Sequence, residues 1–195
     1  MKHDSDPHPS WSRVDDGLHD RTIEQNWLFT LRRERFRSRH SKLEHDFYVV
    51  HLADAVHVIA LTSENELLLV RQFRAASGRD SLEVPGGLID PGEDPLEAGA
   101  RELMEETGYQ GDSAQLVGTL WSNPSLVTSR TTTIVIRNVR QVAEPRLDQT
   151  EELTLERVPA GDVLSLIQEG RIDHALVVAG LLWWRATERR DGAAP

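Results

Sequence analysis

The sequence contains no cysteine, and this absence limits the chemistry that the protein can use. It excludes disulfide bonds, thiolate zinc sites and a cysteine nucleophile, so any metal ion must bind to oxygen or imidazole ligands. The absence is compatible with a reducing compartment, and we expect a cytoplasmic protein. Long hydrophobic runs are also missing. The longest, 175–184, is about half of a membrane span, which predicts a buried helix rather than a membrane segment.

Positive charge is scarce, because 22 Lys and Arg residues face 32 Asp and Glu residues and the net charge is -10. This is the wrong sign for a protein that binds nucleic acid by neutralising phosphates. We therefore expect neither a nucleic acid nor a membrane partner. The first residues lack the apolar segment of a secretory signal, and a length of 195 residues suits one full-sized domain.

Hydrophobic patterning predicts strands and helices that are mixed along the chain without repeats, which indicates an α/β sandwich around one core. Two hydrophobic strands, 55–61 and 66–71, flank a polar turn and predict a hairpin. Further strands are predicted at 115–121, 131–139 and 152–158, and helices at 162–168 and 173–188. We expect a flexible arm over residues 1–22, N-terminal strands and a dimer element over 23–51, a main domain over 52–189 and a tail over 190–195.

A row of arginines lies within the N-terminal strands at a spacing of two residues: Arg33, Arg35, Arg37 and Arg39. This period places the side chains on one face of a strand. The row is either a solvated strand face or a basic rim that meets a phosphate or a partner subunit.

The best-marked helix of the sequence spans 94–107. Asp94 is placed to cap its start, Pro95 suits the first turn, and Gly108 suits the left-handed position after its end. An apolar stripe is predicted to face the sheet, and it consists of Leu96, Ala100, Leu103 and Thr107.

Three glutamates, Glu102, Glu105 and Glu106, are predicted on the flank opposite this stripe. Like charges at i and i+4 destabilise a helix by about 0.2–0.5 kcal/mol, and the last turn disfavours anions. Such violations of local preference tend to mark functional sites. Clustered carboxylates at a place where Gly86-Gly87 brings bare backbone close are suited to Mg²⁺, which takes oxygen ligands and is often shared with substrate phosphates.

The spacing of these residues resembles the Nudix box. Gly87, five residues, Glu93, seven residues and then the run Arg101-Glu-Leu-Met-Glu-Glu-Thr-Gly-Tyr109 match its pattern, with tyrosine at a last position that is commonly aliphatic. The resemblance to Nudix hydrolases implies a Nudix-type α/β/α sandwich with a mixed sheet, plus a small N-terminal antiparallel sheet.

Three further segments, 69–74, 82–87 and 170–175, are similar to the ADP-ribose pyrophosphatase and nucleotide-sugar branch of that family. The branch implies Mg²⁺-dependent hydrolysis, with Mn²⁺ as an alternative, of a nucleoside diphosphate linked to a sugar, and it implies a homodimer. ADP-ribose, cleaved to AMP and ribose 5-phosphate, is the leading substrate. GDP-mannose or another nucleotide sugar, and a catalytically silent nucleotide-binding module, are the alternatives.

The family resemblance also implies roles for particular residues. Glu102 and Glu106 would bind the metal directly, Glu105 through water or on a second ion, and Gly86 through its carbonyl group. Arg101 and Glu93 would orient the cluster as an ion pair, although Arg101 could instead be a surface partner of Glu97. The implied metal set is Gly86, Glu102, Glu105, Glu106 and Glu151, and the implied catalytic set is Glu151, Glu105, Arg101 and Glu93.

A general base is expected in the later loop around 148–152. The position that often holds the catalytic glutamate of ADP-ribose pyrophosphatases is Gln149 here, and glutamine cannot accept the proton. Glu151 is the first candidate, with Glu152 and Asp148 as alternatives, unless the metal ion supplies enough activation or the segment is only a solvated acidic turn.

Four residues are candidates for substrate binding: Arg71, Arg74, Trp27 and Pro124. One of the two arginines is expected at the pyrophosphate, since guanidinium groups bind phosphate in a bidentate manner, although both could be exposed edge charges. Trp27, or Phe29 in its place, would stack on a nucleobase or lie in the core. The loop around Pro124 departs from the usual pattern at Ser125 and Ser129, which leaves the identity of the sugar nucleotide open.

Overall fold

A computed structural model describes residues 10–14, 21–147 and 152–191. The strands are β1 (Trp11–Arg13), β2 (Arg21–Gln25), β3 (Phe29–Ser38), β4 (Glu44–Leu52), β5 (Ala55–Thr62), β6 (Glu66–Arg74), β7 (Arg79–Glu83), β8 (Gly86–Leu88), β9 (Tyr109–Gln110), β10 (Gln115–Trp121), β11 (Arg130–Gln141) and β12 (Leu153–Pro159). The helices are α1 (Pro95–Thr107), α2 (Val163–Gln168) and α3 (Ala175–Asp191), with a 3-10 turn at Ala160–Asp162. The described residues do not include two of the candidate bases, Asp148 and Glu151, or Gln149, which occupies the usual position of the base.

The chain divides into two compact units, and the first comprises residues up to Ala53 together with 121–129. Its strands form an antiparallel sheet in which β3 pairs with β1, β2 and β4. The 121–129 segment is bonded to β4, where the Val50 N–H donates to the Leu126 carbonyl at 2.9 Å and the Thr128 N–H donates to the Val50 carbonyl at 3.0 Å. Strand β1 lies within the segment for which a flexible arm was expected.

Three arginines of the row, Arg33, Arg35 and Arg37, lie on β3, and acidic residues lie on the neighbouring strand β4, whereas Arg39 follows the end of β3. Arg35 bonds both oxygens of Asp46, its partner in register, at 2.6 and 3.0 Å, and the Arg37 Nε bonds Glu44 at 3.0 Å. Cross-strand pairs of opposite charge stabilise an antiparallel sheet. These partners favour the interpretation of the row as a strand face over that of a basic rim, because acidic residues of the same sheet neutralise its charge.

The second unit contains a mixed eight-stranded sheet with the order β10-β11-β5-β6-β12, to which β7, β8 and β9 add. β11 runs parallel to β5, and β5 and β6 form the predicted antiparallel hairpin. Successive side chains of β5 point to opposite faces. Val58 belongs to the core cluster that contains Leu103 of α1, and Ile59 belongs to the cluster that contains Leu181 of α3. The predicted α/β sandwich with a mixed sheet, and the small antiparallel sheet beside it in the sequence, are confirmed.

Helix α3 follows the predicted segment but is buried along one face only. Val177, Leu181 and Trp184 are buried, whereas Leu182 is exposed. In the part of the chain that the structure describes, no helix is both long and apolar enough to cross a membrane.

Helix α1 begins and ends where the sequence predicts. The Asp94 carboxylate accepts the Leu96 N–H at 2.8 Å, and Gly108 adopts a left-handed φ of 73° while its N–H donates to Met104. The predicted stripe is wrong at Ala100, which is exposed, because Gly99 faces the sheet instead. Glycine carries no hydrophobic side chain, so the pattern did not reveal it.

Candidate active site

Arg101 lies at the centre of an ion-pair network on α1. Its Nε and Nη2 atoms bond the two oxygens of Glu93, each at 2.9 Å, and Nη1 bonds Glu102 at 2.8 Å and Glu105 at 3.1 Å. Nη2 also donates to the Leu88 carbonyl at 3.1 Å. Hydrogen bonds from Arg101 lower the pKa of Glu93 to about 2, and Glu93 raises the pKa of Arg101 above its ordinary value. These groups are therefore charged at neutral pH and fixed relative to one another.

The structure pairs Arg101 with Glu93, Glu102 and Glu105, which disfavours the alternative of a surface pair with Glu97. The guanidinium side chain is about one-third exposed. That arrangement is the one needed if Arg101 orients the acidic cluster, a role that stays a prediction.

The carboxylates of Glu102 and Glu106 lie against the start of β8. The Gly86 N–H donates to Glu106 Oε2 at 2.9 Å. A Cβ atom at Gly87 would lie 2.5 Å from the carboxylate carbon of Glu102, so only glycine leaves that carboxylate its present place. The position predicted for Glu106, on the flank opposite the core-facing stripe, is wrong: this side chain is 6% exposed. The backbone of β8, which lies over this end of the helix, buries it.

The oxygen donors at this place fit Mg²⁺. Among the described residues no group of three or more His, Asp or Glu side chains has an arrangement that could hold a metal ion. Mg²⁺ does not need such a group, because it commonly binds through one or two carboxylates together with substrate phosphates and water. Glu102 and Glu106, which lie against Gly86-Gly87, would supply the two carboxylates, and the Gly86 carbonyl stays a predicted further ligand. Glu105 is bonded to Arg101 and its side chain is 48% exposed.

A second polar cluster, which the sequence analysis missed, surrounds Glu83. This carboxylate is 1% exposed and accepts two hydrogen bonds from Arg74, at 2.9 and 2.7 Å. Burial acts to raise the pKa of Glu83, but the hydrogen bonds and the charge of Arg74 outweigh it, so the pKa lies below its ordinary value. An acid between the two apolar residues Leu82 and Val84 was the available signal.

Two histidines belong to the same cluster. The rings of His57 and His174 meet edge to face with centroids 5.8 Å apart. The His57 Nδ1 atom is buried and has no hydrogen-bond partner among the described residues. Burial, and then the charge of His174, lower the pKa of His57 to about 4, while Glu83 acts in the opposite direction. His57 is therefore neutral at pH 7.

This histidine predicts a pH dependence of stability. Between pH 6.5 and 4 the unfolded chain binds a proton that the folded His57 does not, so this group makes the protein less stable as the pH falls. From pH 7 to 5 the wild type should lose about 2 kcal/mol more unfolding free energy than His57→Gln. Urea titrations in metal-free buffer at both pH values would measure the difference. Equal losses in the two proteins would contradict the prediction.

The candidate substrate-binding residues are distributed over both units. Arg71 bonds Glu156 of β12 at 2.8 Å, and Arg74 bonds Glu83. Trp27 is 90% exposed at the turn before β3, so the alternative of a core position for it is wrong. Pro124 is exposed in the 121–129 segment, and both of these residues belong to the first unit.

The fold is an α/β/α sandwich in which the Gly86-Gly87 pair of β8 lies against α1. Helix α1 carries Arg101 with its ion pairs and the carboxylates of Glu102 and Glu106, and these features are typical of a Nudix domain. The model of the NUDIX domain matches residues 51–180, and the chain belongs to this family.

Comparison with known proteins specifies the kind of Nudix protein. The chain is 28% identical to an ADP-ribose pyrophosphatase of Mycobacterium tuberculosis, over 83% of this chain and 78% of that protein. It is 31% identical to a methanol dehydrogenase activator of Bacillus methanolicus, over 67% of this chain and 72% of that protein. A crystal structure of an ADP compounds hydrolase matches the fold with a TM-score of 0.80 and 22% identity, over 95% of this chain and 97% of that chain. The expectation of a Nudix pyrophosphohydrolase similar to ADP-ribose pyrophosphatases is confirmed.

Proposed function

We propose that the protein hydrolyses the pyrophosphate bond of a nucleoside diphosphate linked to a sugar, with Mg²⁺ as cofactor and Mn²⁺ as an alternative. ADP-ribose is the first substrate to test, and its products would be AMP and ribose 5-phosphate. The observation that carries the proposal is the pair Glu102 and Glu106, which lies against Gly86-Gly87 with Arg101 bonded to Glu102. The name of the mycobacterial relative supports the choice of ADP-ribose.

In the proposed reaction the residues of α1 and β8 would have different roles. Glu102, Glu106 and the Gly86 carbonyl would hold the ion, which when bound polarises the pyrophosphate and neutralises charge that develops on its oxygens. Arg101 holds Glu102 in place through a hydrogen bond of 2.8 Å. In the reaction one P–O bond breaks, the hydroxyl of water goes to one phosphorus and its proton is taken by a base. We keep Glu151 as the first candidate for that base, with Glu152 and Asp148 behind it.

Of the two candidate arginines, we assign Arg74 to the pyrophosphate. Arg74 bonds Glu83, and Glu83 is only three residues before Gly86 in the chain. Arg71 is instead bonded to Glu156 of β12, which lies at the edge of the sheet. A guanidinium group offers two parallel N–H donors to phosphate oxygens.

A substrate panel tests the proposal. Purified protein incubated with ADP-ribose, GDP-mannose and other nucleotide sugars plus Mg²⁺ should release a nucleoside monophosphate and a sugar phosphate, identified by mass spectrometry. EDTA should abolish turnover and excess Mg²⁺ should restore it, because a hard cation is held here mainly by two carboxylates. If GDP-mannose is hydrolysed and ADP-ribose is not, the proposed substrate changes from ADP-ribose to GDP-mannose.

Absence of turnover for every diphosphate would favour a catalytically silent nucleotide-binding module. The relative that is named an activator makes this the second candidate function. Nucleotide binding measured by calorimetry, without product formation, would then support it.

We also propose a cytoplasmic homodimer in which the strands of residues 23–51 contact a second copy. The exposed side chains of Ile23, Trp27 and Tyr48 in this segment support the proposal. Light scattering after size-exclusion chromatography would give the mass, and a monomer would contradict it.

A further inference from the structure

Glu83 is a buried acid to which the proposed hydrolysis assigns no role. Its carboxylate is 1% exposed and is held by Arg74 through two hydrogen bonds, whereas the arginine side chain is 44% exposed. One end of this ion pair is therefore fixed inside the sheet and the other reaches the surface.

The pair lies next to the loop that carries the proposed metal ligand. Glu83 ends β7 and Gly86 begins β8, with two residues between them. Gly86 pairs in register with His57, and the His57 imidazole interacts electrostatically with both Glu83 and Arg74. The covalent path and the strand pairing both place this cluster beside Gly86-Gly87.

Stability alone is a weak reason for such a pair. Removing a carboxylate from water has a large cost, and well-packed apolar residues in place of a buried ion pair are often equally stabilising. The neighbours of Glu83 in sequence, Leu82 and Val84, are buried apolar residues, so an apolar side chain would suit the strand. A charged residue at a place where local preference favours an apolar one tends to mark function.

A fixed carboxylate can restrict a flexible arginine. Arg74 ends β6 and has a long side chain that loses considerable rotamer freedom when it is held. A bidentate bond from a rigid partner fixes the plane of the guanidinium group before a phosphate arrives.

We propose that Glu83 is a positioning residue that holds the Arg74 guanidinium at the Gly86-Gly87 loop for the pyrophosphate of the substrate. The inference rests on the proposed function, in which Arg74 contacts that pyrophosphate. Glu83 itself does not touch the substrate.

Steady-state kinetics of Glu83→Gln with ADP-ribose and Mg²⁺ test the proposal. Glutamine keeps the shape of the side chain but removes its charge, so Arg74 should lose its fixed orientation. We expect KM to rise about tenfold with kcat changed less than about threefold, as for a loss of binding shared by ground and transition state. Arg74→Ala should show at least the same rise, and Glu83→Gln added to it should have no further effect, because the two residues act as one unit.

Glu188→Gln is the matched control. Glu188 of α3 also forms an ion pair with an arginine, Arg137 of β11, on the side of the sheet away from α1. The same loss of charge there should leave KM unchanged. A Glu83→Gln protein with lower thermal stability but a wild-type KM would overturn the proposal, since that result describes a structural residue.

Calorimetric titration with inorganic pyrophosphate and Mg²⁺ separates this inference from the proposed function. If the wild type hydrolyses none of the substrates, the proposed function fails on that result alone. Weaker pyrophosphate binding by Glu83→Gln than by the wild type would still support the positioning role. Equal binding by both proteins, or no binding by the wild type, would overturn it.

Discussion

Glu106→Gln is expected to lower kcat for ADP-ribose by about a thousandfold or more while the protein stays folded. Electrostatic stabilisation through a bound cation contributes several kcal/mol at the transition state, and about 4 kcal/mol corresponds to a factor of a thousand. The glutamine can still accept the Gly86 N–H through its amide oxygen, a bond that is 2.9 Å long in the wild type. The structural contact is therefore kept and the negative charge is lost.

Glu97→Gln is the control for this substitution. Glu97 lies in the first turn of the same helix and is exposed, so the same chemical change should leave kcat and KM close to wild type. Circular dichroism and thermal melting would establish that both variants are folded. A Glu106→Gln enzyme with more than about a tenth of wild-type kcat would contradict the role of Glu106 as a metal ligand.

Gly87→Ala is expected to lower kcat/KM by about a hundredfold, because moving catalytic groups by about 1 Å can cost this much. The new methyl group would lie 2.5 Å from the carboxylate carbon of Glu102 and would force that side chain away from the loop. A side-chain carboxylate can rotate, so the unfolding free energy should fall by only about 1–2 kcal/mol. Kinetics at several Mg²⁺ concentrations would measure the effect, and a higher Mg²⁺ requirement should accompany it.

Gly161→Ala gives the matched control, since a Cβ atom at Gly161 meets nothing within 4 Å. This variant should keep its activity and its Mg²⁺ requirement. If Gly87→Ala behaves in the same way, the place of the Glu102 carboxylate beside the loop is not important for the reaction.

Local signals account for the parts of the fold that could be predicted. The capping residues Asp94 and Gly108 mark the ends of α1, and β10 occupies the predicted span. Long-range contacts account for what was missed. The 121–129 segment joins the first unit through hydrogen bonds that Leu126 and Thr128 form with Val50, which lies almost eighty residues earlier in the sequence, and no local pattern encodes such a pairing.

The candidate site shows the same division. The family resemblance implied that Arg101 and Glu93 belong to the acidic cluster, and the structure bonds Arg101 to Glu93, Glu102 and Glu105. The partner of Arg74 could not be predicted, because Glu83 meets it only after β6 and β7 pair. The burial of Glu106 likewise depends on the backbone of β8, which is distant in sequence.

The capped ends of α1 determine where the sequence can change in length. Each residue turns an α-helix by about 100°, so a single insertion between Asp94 and Glu102 would carry both proposed ligands away from β8. Both ends of the helix are fixed, by the Asp94 cap and by Gly108 at a φ of 73°, so the helix cannot slide to compensate. The distance from the Asp94 cap to the acids is therefore expected to stay constant within this family.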